Sequence, residues 1–155
     1  ERLPDGGVAN SAALIDAQGV RAIYRKAHLW HEESTIFTPG DRPPPVVETR
    51  FGRLAVMICY DLEFPEWVRR PAEMVKAQAN AAVNRLFIAV CDRCETERGV
   101  AWIGGSVIID ADGYPLTQSL AGEGMALAEM DISTADDKRI GRYNHVHRDR
   151  RPLLY

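Results

Sequence analysis

Two residues of this 155-residue chain could do covalent chemistry together, a cysteine at position 59 and a lysine at position 26. Cys59 closes the mostly apolar run RLAVMI and opens YDLEFPE, a segment with helical character. A strand that ends in a nucleophile and turns at once into a helix lifts the side chain clear of the sheet. It also sets unpaired backbone N–H groups and a partial positive charge beside the sulfur. That field favours the thiolate, the form of cysteine that attacks carbon. The N–H of Tyr60 would then be placed to donate to an oxyanion, as in a nucleophile elbow. Read from this segment alone, Cys59 is equally a small buried hydrophobe. Lys26, at the end of the run VRAIYRK, is by itself a solvated strand-end charge.

A second constellation is Cys91-Asp92-Arg93-Cys94, a C-x-x-C pair at a strand end. Such a pair serves as a redox dithiol or as half of a zinc site. A redox motif normally opens a helix, yet Glu95–Gly99 reads as a loop. For zinc the remaining ligands would be His145 and His147, with an unusual H-x-H spacing. The cysteines are read as incidental, beside a pocket rim.

The elements that must position these groups are strand-rich, then helical, then strand-rich again. Ser11–Asp16 and Val20–Arg25 flank a turn at Gly19 and predict a hairpin. Residues 27–45 read as loop, since Pro39-Gly40 and Pro43-Pro44-Pro45 exclude regular structure. Val46–Thr49 and Arg53–Ile58 predict a second hairpin around Phe51-Gly52. Glu63 to Val83 is helical in pattern but interrupted by Pro71, which predicts two helices meeting near Arg70-Pro71. Leu86–Val90, Ser106–Asp110 and Met125–Met130 read as strands, and Asp112-Gly113 turns the chain toward Pro115–Ser119. Ser133 with Asp136 signals a helix start for 134–140. From Arg142 onward the tail is basic, aromatic and not helical.

Composition sets the outer bounds. Hydrophobic content of 46% and charged content of 26% describe an ordinary globular domain, here read as one domain over 1–155. A net charge of −3 gives no reason to expect nucleic acid, and the basic tail is too mixed to argue otherwise. No apolar run approaches the ~20 residues of a membrane span, and no signal peptide is evident. Three cysteines fit a reducing, cytoplasmic setting better than a disulfide scaffold. The chain opens on Glu1 rather than Met, so its first residue need not be the natural start.

YRKAHLW (24–30), FTPG (37–40), ICYDLEFPE (58–66), NRLFIAV (84–90) and GGSVIIDADG (104–113), in that order, resemble the nitrilase, or carbon–nitrogen hydrolase, superfamily. The resemblance implies an α/β fold, a four-layer α-β-β-α sandwich, of which this chain carries roughly the second half. It implies a Glu–Lys–Cys triad in which Lys26 and Cys59 match the lysine and the nucleophile. Glu33 resembles the family's additional active-site glutamate, its other reading being a solvated loop acid. Tyr60 would give its backbone N–H, while Asp61 and Glu66 support the elbow. The implied reaction is acyl transfer from a small linear amide through a cysteine thioester, with no metal and no organic cofactor. Cys59-Tyr60-Asp61 sits nearer the amidase branches than the Cys-Trp-Glu of true nitrilases, with N-carbamoyl amide hydrolases next. Residues 142–155 resemble family C-termini that pack on a neighbouring subunit, which implies a homodimer or larger assembly.

Two departures accompany the resemblance. The family's triad glutamate lies well upstream of the lysine motif, and no residue before Lys26, Glu1 included, matches it. At Arg69-Arg70-Pro71 two helices abut where family members carry a further strand and loop. Segments omitted from a longer protein are the favoured explanation. A truncated, non-catalytic subunit kept for assembly is the competing one. Trp30, Trp67 and Trp102 read as packing residues.

Overall fold

Proline placement and hairpin turns decide most of the architecture. The computed structural model describes residues 1–64, 74–102 and 104–154, which fall into two compact units, Glu1–Ala72 and Glu73–Tyr155.

In the first unit, β1 (Ser11–Asp16) and β2 (Gly19–Arg25) form the expected antiparallel hairpin, with Ser11 opposite Arg25 and a bulge between Leu14 and Ile15. The turn is held by Asp16, whose side chain accepts from Gln18 N–H at 2.8 Å and pairs with Arg21. Beyond β2 the predicted loop contains one helical turn, α1 (Glu33–Ile36). β3 (Val47–Thr49) and β4 (Gly52–Leu54) pair as the second hairpin, but β4 stops at Leu54 instead of reaching Ile58. The last rung is Val47 with Leu54, and continuing it would bring Val56 opposite Pro45, which has no N–H to give. Residues 55–58 therefore approach the thiol half-buried and outside any ladder, a correction to the predicted buried strand. A 3-10 turn over Cys59–Glu63 follows.

The interior of this unit is unusually polar. Beside Ala9, Tyr24, Pro44 and Leu62 it encloses Lys26 and Asp61, both at most 1% exposed. Groups of this kind are rarely buried unless paired.

In the second unit, α2 (Met74–Asn84) buries Ala77 and Ala81 completely, four residues apart on one face. It ends through Arg85 at φ +52°, with Leu86 N–H donating to Ala81 O, a Schellman-type closure. β5 (Ile88–Val90) follows. β6 (Thr96–Glu97) and β7 (Val100–Ala101) form a short hairpin where a loop was predicted. Arg98 and Gly99, both at positive φ, make the two-residue turn that such a hairpin favours. β8 (Val107–Ile109) pairs antiparallel with β5. Pro115–Ser119 returns along β8 through Leu116 N–H to Ile108 O, with single bridges at Pro115 and Leu120.

Two further expectations fail. Met125–Met130 enters no ladder, and Met125 and Leu127 are each about four-fifths exposed. The helix expected over 134–140 is a 3-10 turn over Ile132–Asp136, capped two residues earlier than predicted. Asp131, not Ser133, supplies the cap, accepting from Ser133 N–H at 3.0 Å and Ser133 Oγ at 2.6 Å. The predicted helix junction at Arg70-Pro71 lies outside the described residues. Among those described, no helix is long and apolar enough to cross a membrane.

Candidate active site

The site is built where the end of β2 meets the 3-10 turn at Cys59. Extended backbone alternates its faces, so Tyr24 in β2 and Lys26 just past its end share one side, while His28 follows in a bend. Tyr24 is 2% and Lys26 1% exposed, as that alternation requires. Lys26 is anchored through its backbone: its N–H donates to Asn10 O at 2.8 Å and its carbonyl accepts from Gly40 N–H at 2.9 Å. Gly40, of the FTPG motif, has to be glycine, because a Cβ there would lie 2.3 Å from Arg25 O.

Lys26 Nζ donates to Glu33 Oε2 at 2.5 Å. Glu33 is positioned by α1, which it opens, and by Trp30 N–H at 2.7 Å and Asn10 Nδ2 at 3.1 Å. Burial pushes the Glu33 carboxyl up, but the Lys26 hydrogen bond, the Trp30 N–H, the lysine charge and the Asn10 amide together outweigh it. The carboxyl is held below its ordinary range. A carboxylate so stabilised is a partner for the lysine and a poor proton acceptor.

Cys59 has φ +47° and is solvent-exposed, while Ile58 before it is extended (φ −129°, ψ 111°). A cysteine in the left-handed region costs on the order of 1–3 kcal/mol, strain that clusters at active sites. The chain thus turns sharply at the thiol and enters a helical turn, the local form of an elbow. The predicted helix after the strand is, over Cys59–Glu63, a single 3-10 turn.

Asp61 is fully buried. It accepts from Tyr24 Oη at 2.6 Å and from His28 N–H at 2.8 Å, and it pairs with His28 Nδ1 at 2.8 Å. The His28 ring stacks on Phe64, centroids 3.7 Å apart. Tyr60 meets the edges of Phe64 at 5.2 Å and Trp30 at 4.8 Å. Of the predicted residues, the structure joins Lys26 to Glu33 and sets Cys59, Tyr60 and Asp61 in one turn. Glu66 lies outside the described residues. Asn10, Tyr24 and His28 escaped the sequence reading. Alternation along β2 could have marked Tyr24, whereas nothing local in the sequence marks His28 or Asn10.

In the second unit, Cys91 and Cys94 line an open cleft with Ser106, Leu120 and Glu123. Cys91 is exposed and Cys94 half-buried.

Comparison with known proteins converges on one family. Residues 1–76 match the carbon-nitrogen hydrolase family. A nitrilase of Pyrococcus abyssi is 34% identical over 97% of this chain and 65% of its own length. An (R)-stereoselective amidase of a Pseudomonas species is 30% identical over 96% of this chain and 61% of its own. Among solved structures, a glutamate-to-glutamine mutant of the amidase from Nesterenkonia sp. AN1 superposes with a TM-score of 0.76. It shares 29% identity over 93% of this chain and 59% of that one, and it carries the acetamide moiety of fluoroacetamide covalently at its active-site cysteine. The scaffold is α/β, of the α-β-β-α sandwich class that these solved amidases share. The chain belongs to the nitrilase superfamily. It spans 61–65% of the length of these two curated relatives. The match to the Pyrococcus nitrilase runs over 170 residues, so that relative has residues without a counterpart inside the matched stretch of this 155-residue chain.

Proposed function

We propose that this chain carries the nucleophile and the oxyanion cation of an enzyme that hydrolyses the C–N bond of a small linear amide. Cys59 Sγ attacks the amide carbon, a C–S bond forms, and the carbonyl oxygen takes up the negative charge. The Lys26 ammonium and the Tyr60 N–H stabilise that oxygen. The loss of one such donor commonly costs about 3 kcal/mol in the barrier. Collapse of the intermediate breaks the C–N bond, and the nitrogen leaves as ammonia or an amine after gaining a proton. Water then attacks the thioester, breaks the C–S bond and regenerates the thiol. Glu33 holds Lys26 in place through their 2.5 Å contact. The proton transfers are assigned to a further carboxylate, the triad glutamate that the family resemblance implies. No metal enters these steps, and the tail at 142–155 is assigned to assembly of a homo-oligomer.

The observation that carries this reading is Cys59 itself, exposed at φ +47° at the mouth of a turn whose Asp61 accepts from Tyr24 and His28, two residues to either side of Lys26. The relatives' names favour amidase chemistry, and the covalent acetamide on the Nesterenkonia amidase cysteine favours sulfur as the attacking atom. Release of ammonia from a panel of aliphatic amides, compared between the protein and Cys59→Ala, tests it. The variant is expected to be inactive with an unchanged fold by circular dichroism. Full activity would end the covalent mechanism.

A further inference from the structure

Asp61 is buried completely, and a buried carboxylate is tolerated only where donors satisfy it. Its donors are not scattered. Tyr24 Oη reaches Oδ2, and the His28 N–H and Nδ1 both reach Oδ1. Tyr24 and His28 lie two residues before and two after Lys26, and Asp61 lies two residues after Cys59. One carboxylate therefore straddles the lysine on one segment and is fixed to the nucleophile's turn on the other. The 2.8 Å contact of His28 Nδ1 with the same oxygen fixes the ring's orientation. The ring is also stacked on Phe64, at 3.7 Å and 16° between planes, and Phe64 in turn meets the edge of Tyr60.

We propose that Tyr24 and His28 are positioning residues which, acting through Asp61, set the separation between the Lys26 ammonium and the Cys59 sulfur. This rests on the hydrolase reading above. Neither residue touches substrate in this scheme. Their work is to keep the oxyanion cation and the strained thiol in one geometry through the catalytic cycle. Displacement of a reacting group by about 1 Å can cost 100-fold in rate while substrate still binds. A merely structural role would appear as lost stability with the folded fraction working normally.

The experiment is amide turnover by Tyr24→Phe, His28→Phe, Asp61→Asn and the Tyr24→Phe/Asp61→Asn double variant, with urea unfolding of each. His28→Phe keeps the stack on Phe64 and removes Nδ1, so it serves even if Asp61→Asn fails to fold. Each single donor variant is expected to lower kcat about 10-fold with KM within about twofold, the signature of a contact that matters in the transition state. The double variant is expected to be no worse than Asp61→Asn, since coupled residues are non-additive. Alkylation of Cys59 by iodoacetamide, located by peptide mass mapping, is expected to stay within about threefold, because the loss lies in the relation of lysine to sulfur. Unchanged kcat in folded Tyr24→Phe and His28→Phe would overturn the clamp, as would losses that multiply in the double variant. If Cys59→Ala also retains turnover, the hydrolase reading is what fails. If Cys59→Ala is dead and the donor variants are fully active, only the clamp fails.

Discussion

Lys26 and Glu33 illustrate how much the chemistry of this site depends on single side chains. The lysine is almost fully enclosed while its partner carboxylate keeps about a quarter of its surface in water. Lys26→Met preserves most of the packing but leaves Glu33 facing an apolar group, with Trp30 N–H and Asn10 still donating to it. We expect a folded protein, destabilised by about 1–3 kcal/mol for the lost charged hydrogen bond, and turnover reduced at least about 100-fold. Urea unfolding and ammonia release measure the two effects, and normal turnover would move the oxyanion cation elsewhere. Glu33→Gln carries a pH signature. The native carboxyl is held below the ordinary glutamate range, so the ionised form is the one the fold stabilises. Its contribution is complete above the unfolded-state value near about 4.3 and is lost as pH falls through the lower native value. The stability gap between the protein and Glu33→Gln should be constant near neutrality and close on acidification below roughly pH 4.5. A gap that widens with acid would mean that the carboxyl's displacement has been read with the wrong sign.

At the scale of elements, the site depends on close approach of backbone. Gly40 N–H donates to Lys26 O, and a side chain at residue 40 would strike Arg25 O at 2.3 Å. Gly40→Ala must therefore push the FTPG segment off the end of β2. We expect a loss of about 1–3 kcal/mol, typical of overpacking, together with slower turnover, because the displaced strand end carries Lys26. A thermal melt matching the parent would show that the segment gives way freely. The same elements show what a sequence can disclose. The β1–β2 hairpin was legible because a turn glycine, Gly19, between two short runs rich in apolar residues acts locally. Cys59 was legible because an apolar run, a nucleophile and a turn lie next to one another in the chain. The lysine–glutamate pair was reachable only through the family resemblance, and Asp61's donors were missed because hydrogen bonds 33 and 37 residues apart in sequence leave no local trace. The errors have the same origin. β4 was overextended because its limit is Pro45 on the partner strand, a tertiary fact. Met125–Met130 has strand composition but no partner among the described residues.

For the molecule as a whole, the issue is what covers its exposed apolar groups. The C-terminal 3-10 turn, Pro152–Leu154, leaves Leu153 fully and Leu154 two-thirds exposed, and Tyr143 is four-fifths exposed. Scattered surface leucines need no explanation, but adjacent ones exposed on one turn suit a contact with a second subunit. Each leucine buried in such a contact would contribute about 1.5–3 kcal/mol, so the pair is enough to decide assembly in the micromolar range. The expected mass in solution is accordingly a multiple of one chain. Converting both leucines to aspartate should lower that mass to a single chain, because two carboxylates would have to be desolvated in the contact. Light scattering over a dilution series of the protein and of Leu153→Asp/Leu154→Asp reads this directly. A parent that is monomeric at every concentration would remove the tail's role in assembly. A double variant of unchanged mass would leave the assembly standing but locate its contact on another surface.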